Sequence, residues 1–233
     1  MLIGIHQPNY LPGLSYFVKL MRSDAFIFLD SVQFSKGNWT NRNRIKTPAG
    51  ELLLTVPILT KGQGPQLIKD IRINPAMDWQ KKHLKSMEQS YRKSPGLQET
   101  LDLLTGIYSR EAELLAPLNM ALIRAICAWL GIERPMYLAS QLGGDGLAST
   151  DLLVHLLKAV GGTGYLSGAG GHKYMDMDKF AAAGIEAAFM EFRAAPYRQP
   201  YGEFIPNLSI IDLMCAEGRG ARAVLEQSWG PAE

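Results

Sequence analysis

MLIGIHQPNYLPGLSYFVKLMRSDAFIFLD, residues 1–30, reads as strand, loop, helix, strand. Residues 1–5 are a short apolar run that stops at His6-Gln7-Pro8, as a buried strand does when it enters a loop. Leu14, Tyr16, Phe17, Leu20 and Met21 follow at helical spacing, and Asp24 ends that helix. Residues 25–29 form a second apolar run that closes at Asp30. A βαβ unit of this kind implies parallel strands with a right-handed crossover. The second half repeats the alternation: strands are expected near 136–139, 164–166 and 185–192, with helices near 149–160 and 177–183 between them. The fold class expected is α/β, with a mostly parallel Rossmann-like sheet flanked by helices.

Between the two halves the pattern changes. Residues 31–50 are polar and dense in Asn, Arg and Lys, and residues 52–58 and 67–73 read as strands. Asp78 is placed to cap a helix running to about Tyr91, on which His83, beside Lys81 and Lys82, reads as exposed. Ser109 is placed to cap a longer one from Arg110 to Leu130, which Pro117 should kink or split. We expect one α/β domain over 1–233 with a helical insertion at about 75–130. Residues 205–217 should form a turn and a closing helix capped by Ser209.

Bulk composition narrows the function classes. With 24 Lys+Arg against 22 Asp+Glu the net charge is +2, which argues against a protein built to neutralise a nucleic-acid backbone. A hydrophobic fraction of 47% over 233 residues can bury a core without disulfides or metals. Cys127 and Cys215 lie apart in apolar segments, with no CxxC or Cys/His cluster to hold zinc, so no metal-binding residues are assigned. Neither a signal peptide nor a membrane-length apolar run is visible, so a cytoplasmic protein without membrane insertion is expected.

Ligands of open parallel sheets bind beyond the carboxyl ends of the strands, and the polar residues sort by that rule. His6, Gln7, Asn9 and Tyr10 follow the first strand, Asp30 and Gln33 the second, Ser140 and Gln141 the third. Ser167, Gly168, Gly170 and Gly171 follow the fourth, and Arg193, Tyr197 and Gln199 the last. Convergence of five loops on one rim points to an enzyme. His6 can donate to an anion or exchange a proton near neutral pH, and Asn9 lies near a helix start that favours phosphate or carboxylate. In the run from Asn38 to Lys46, Trp39 can stack on a planar group. If that run is extended, Arg42, Arg44 and Lys46 share one face as an anion clamp, opposite Asn41 and Asn43. The SGAGG loop at 167–171 can offer backbone N–H groups to an anion, with His172, Lys173 and Tyr174 behind it. The expected catalytic set is His6, Asp30 and Lys46, with Asp30 orienting the imidazole or a substrate amine. A solvated charged face or a tight glycine turn is the competing reading of each run.

Five blocks of the chain resemble the WbqC family in order and spacing. They are HQPNYLPGLSYF, LDSVQFSKGNWTNRNRIK, WQKKH with the following SYRKSP, YLSGAGGHKY, and FIPNLSIIDLM. Gly13 stands where the family usually has Trp, and Ser15 where Gly is usual. The His-x-x-Asn pair is also similar, more distantly, to the HxGH signature of class I adenylylating enzymes and nucleotidyltransferases. Asp30–Phe34 likewise resembles an Asn-Pro-x-Gln-Phe stretch in pantoate-activating synthetases. The family resemblance implies a transferase or ligase-like enzyme of surface-polysaccharide, O-antigen or small-molecule biosynthesis. Its substrate would be anionic, bearing a nucleotide, sugar-phosphate or acyl group. A nucleotide with Mg²⁺ is the cofactor such chemistry would use. The alternatives are a non-catalytic module binding a nucleotide-sugar or a partner enzyme, and, behind it, an RNA-binding domain using Trp39 and the Arg/Asn run.

Overall fold

The computed structural model describes residues 1–59, 62–168, 170–171 and 175–229. Five parallel strands form the main sheet: β1 (Leu2–His6), β2 (Ala25–Phe28), β7 (Met136–Leu138), β8 (Gly164–Gly168) and β9 (Glu186–Met190). Their spatial order is β7-β2-β1-β8-β9, so the winding runs outward in one direction from β1 and then in the other from β8. This is the Rossmann-like arrangement, and its reversal point lies between β1 and β8.

Alternation along the strands sorts side chains onto two cores. Ile3, Ile5, Ala25, Ile27 and Tyr165 face Leu152, Leu156 and Leu157 of α5 (Ser149–Ala159) and Phe180 of α6 (Met177–Ala182). Phe26, Phe28, Leu166 and Met190 face the opposite, larger core with α1 (Leu14–Arg22), α4 (Leu115–Trp129) and α7 (Ile210–Glu217). Ser209 caps α7 as expected, its Oγ accepting from the Ile211 N–H. A short helix, α8 (Ala221–Gln227), follows and packs on α1 and α7.

The segment between β2 and β7 holds a two-stranded antiparallel hairpin, β3 (Arg42–Thr47) with β4 (Gly50–Thr55), and a minimal pair, β5 (Ile58–Leu59) with β6 (Arg72–Ile73). It also holds α2 (Trp79–Ser90) and α3 (Leu97–Tyr108), ahead of α4. Several expectations are corrected here. Most of 67–73 is not strand: residues 68–70 form a 3-10 turn whose Ile68 and Lys69 N–H groups donate to Val32 and Asp30 carbonyls. Ser109 caps no helix start, because it closes α3, and α4 begins only at Leu115. Pro117 therefore falls in the first turn of α4, where a missing N–H costs nothing, and no kink is required. Asp78 precedes α2 without a capping bond and pairs with Lys81 instead. Among the described residues no helix is long and apolar enough to cross a membrane.

Candidate functional site

The ladder between β1 and β8 ends early. Thr163 and Gly164 donate to the Met1 carbonyl, whereas Leu2 and His6 carbonyls accept from Asp24 and Leu29 on the β2 side. The odd-numbered carbonyls of β1 therefore face β8, and Ile5 should supply the next rung. Registered pairing nonetheless stops at Gly4 opposite Leu166, while β8 runs on beside β9 to Gly168. The Nζ of Lys19 takes the vacant place, donating to the Ile5 carbonyl at 2.6 Å. A lysine from α1 thus occupies the seam where the sheet reverses direction.

The gap opens into a cleft of about 620 Å³, within the range of small-ligand sites. His6, Gln7 and Asn9 line it after β1, Gln33, Asn38 and Trp39 after β2, and Ser167, Gly168, Gly170 and Gly171 at the end of β8. Lys19 and Tyr165 form its floor with Ile5, and Leu29, Val32, Leu152 and Leu153 give an apolar wall. A smaller cavity of about 230 Å³ adjoins it through His6, Asn9 and Trp39 and is bounded by Asn43, Arg44 and Asn207. Imidazole, tryptophan, four amides and a glycine loop, drawn from distant parts of the chain, share one space.

Burial sets the electrostatics. Lys19 is almost wholly covered, and loss of hydration lowers its amine from the usual lysine range to about 7. Its head lies 5.7 Å from the Tyr165 ring centroid. Burial, then the nearby Lys19 charge, lowers His6 to about 4, against a small opposing effect of its bond to the Gln7 carbonyl. The imidazole is therefore neutral at pH 7. Because Nδ1 faces a carbonyl 3.1 Å away, it carries the proton, which leaves the Nε2 lone pair free to accept one. The ring rests edge-on against Tyr16, centroids 4.8 Å apart.

Other residues singled out from the sequence lie elsewhere. Tyr10 is fully buried beneath the cleft, its hydroxyl bonded to Tyr108 and, at 2.8 Å, to Nδ1 of His83. His83, expected on an exposed face, belongs to that core cluster. Asp30 does not reach His6: its two oxygens accept from the N–H and Oγ of Ser140 at 2.9 and 2.7 Å, tying the end of β2 to the end of β7. Asn41 donates to the Val56 carbonyl, and Arg42 to the Gly37 carbonyl. Arg44 pairs with Glu51 and lies over Trp39 at the edge of the small cavity.

Lys46 is buried at the far end of β3 against Gln199 and the Glu203 carbonyl, outside the cleft. Alternation put it on the face of Arg42 and Arg44, but the 199–203 segment covers that end of the strand. Tyr174, with His172 and Lys173, lies outside the described residues. Among the described residues, no three His, Cys, Asp or Glu side chains group as a metal site would require.

Two contributors were not singled out from the sequence. Lys19 had a signal, being the one charge between Leu14 and Met21 in an otherwise apolar helix. Asn119, buried in α4, had none. Its Nδ2 donates to the Pro8 carbonyl at 2.8 Å and the Thr40 carbonyl at 2.7 Å, clamping the loops that carry Asn9 and Trp39. Asn119→Ala leaves both buried carbonyls unpaired and should cost roughly 2–4 kcal/mol. Denaturant unfolding checks this, and a loss below about 0.5 kcal/mol would show the clamp to be dispensable.

The model of the WbqC-like protein family matches residues 7–224. The chain is 34% identical over 222 residues to the uncharacterized protein Rv1507c of Mycobacterium tuberculosis (strain ATCC 25618 / H37Rv), covering 94% of this chain and 95% of that one. No solved structure matches it. With the family match spanning nearly the whole chain, the chain belongs to the WbqC-like protein family.

Proposed function

We propose that this protein is a transferase or ligase-like enzyme that binds a small anionic substrate in the cleft between β1 and β8. The substrate bears a nucleotide, sugar-phosphate or acyl group, and the pathway is surface-polysaccharide or related small-molecule biosynthesis, as family membership supports. One observation carries the reading: a buried lysine amine and a half-buried imidazole, both shifted downward, share a cleft at the reversal point of a parallel sheet. Functional sites are where such shifts concentrate.

The roles follow from the two groups' electrostatics. An arriving anion favours the charged form of Lys19, while burial keeps His6 neutral. Lys19 becomes the ammonium that holds the anion. The free Nε2 of His6 accepts a proton from the attacking hydroxyl or amine of the second substrate. Gln7, Asn9 and the glycine loop orient the polar groups, and Trp39 covers a planar or sugar face. Arg42 and Arg44 already have intramolecular partners, which weighs against RNA.

The test is calorimetric titration of nucleotides, nucleotide-sugars and acyl-CoA at pH 7.5 (about half a unit above the lysine value) in buffers of different ionisation enthalpy. Binding should take up a fraction of a proton, and Lys19→Met should abolish that uptake. A ligand bound equally well, with equal proton uptake, by wild type and Lys19→Met would place the site elsewhere. His6→Ala should retain ligand while turnover falls about 10²-fold or more; unchanged turnover would remove the base role.

A further inference from the structure

A second cleft, of about 590 Å³, lies away from the first, between residues 90–95 at the α2–α3 turn, residues 198–201 and the end of α7 at Ala216 and Glu217. We propose that it is a distinct binding site for a small phosphoryl-bearing molecule. Three cations, Arg92, Lys93 and Arg198, line it. Arg44, Arg72, Arg219 and Arg222 each pair with a glutamate, but these three side chains have no carboxylate partner among the described residues. The single acid on the wall, Glu217, accepts from the backbone N–H of Arg198 rather than from its guanidinium. Exposed carbonyls at the end of α2 attract cations from the same turn, but Arg198 arrives from a segment far along the chain.

The rest of the cleft is built rigidly. Tyr201 holds a left-handed backbone (φ 60°), which a bulky side chain adopts only under constraint, and its hydroxyl donates to the Ser90 carbonyl at 2.8 Å. Its ring is thereby fixed as one wall. Gln199 is held at four points: Nε2 donates to the Tyr197 hydroxyl and the Ile205 carbonyl, and Oε1 accepts from the Ile205 N–H and Lys46 Nζ. Pro95 and Pro200 stiffen the rim. Three cations against the one acid leave two positive charges, which suit a phosphate dianion whose oxygens match the arginine fork. The aromatic wall leaves room for a sugar or a base. This site does not depend on the reading of the first cleft.

Titration with inorganic pyrophosphate and with ribose 5-phosphate, followed by backbone amide resonances, tests the assignment. Either probe should shift residues 91–96 and 198–201, and Arg92→Ala/Arg198→Ala should weaken binding about tenfold or more. Both positions are on the cleft surface, so the double variant should fold, and Lys19→Met should bind as wild type. Shifts confined to residues 6–9 and 167–171 would overturn the proposal. So would equal affinity in the double variant, or no shift up to about 10 mM ligand.

Discussion

Lys19→Met should flatten the dependence of stability on pH between about 7 and 10. The lysine value falls from 10.5 in the unfolded chain to about 7 in the fold. Between those values the unfolded state binds more protons, so wild-type stability rises with pH across the window. Below about 7 both states are charged and the penalty of burying the ammonium is felt in full. Above about 10.5 both are neutral and it vanishes. The swing should be a few kcal/mol. Methionine has no such proton, and its constant cost is the bond to the Ile5 carbonyl.

The quantity to follow is the difference between variant and wild type. Buried Cys127 and Cys215, each pushed up to about 12, pull stability downward above about pH 9 in both proteins. Denaturant melts at pH 7, 8 and 9 suffice. A difference that stays constant across them would mean that the amine is hydrated and the cleft floor open to water.

Asp212→Leu should destabilise the fold by roughly 3–5 kcal/mol, or a drop of about 10 °C in Tm. Asp212 sits wholly buried in the first turn of α7, its oxygens accepting from Tyr91 and Tyr197 hydroxyls, each at 2.6 Å. The Tyr91 hydroxyl in turn accepts from the Lys46 N–H, and that of Tyr197 from Gln199. One carboxylate thus joins the β3 strand, the end of α2, the 197–199 segment and α7. Burial raises its own value and those of both tyrosines. Leucine strands two phenolic donors in an apolar setting. The milder Asp212→Asn keeps one acceptor and should lose about half as much. A leucine variant within about 1 kcal/mol of wild type would show that water reaches the tyrosines.

The parallel sheet was legible because its evidence is local: apolar runs ending in polar loops, helical spacing between them, and a serine ahead of α7. The same rule located much of the cleft, since His6, Gln7, Asn9, Gln33, Trp39 and the 167–171 glycines all follow strand ends. What escaped depends on distant neighbours. Nothing in NRNRIK says that Gln199, more than a hundred and fifty positions on, will cover Lys46. Tyr10 reads as a loop residue until His83 and Tyr108 close around it. Lys19 is hidden for another reason: helical spacing is judged by its apolar members, and it says nothing of where one charge among them points.

The wedge between β1 and β8 bears on how such a protein can change over generations. One side chain both fills the seam and supplies the amine of the cleft, so a change at this position alters the shape and the charge of the cleft together. A shorter apolar replacement would invite the Ile5 carbonyl to seek a partner on the neighbouring strand, zipping the seam and erasing the hollow along with the amine. Changes in the surrounding loops would alter the lining of the cleft while leaving that seam in place.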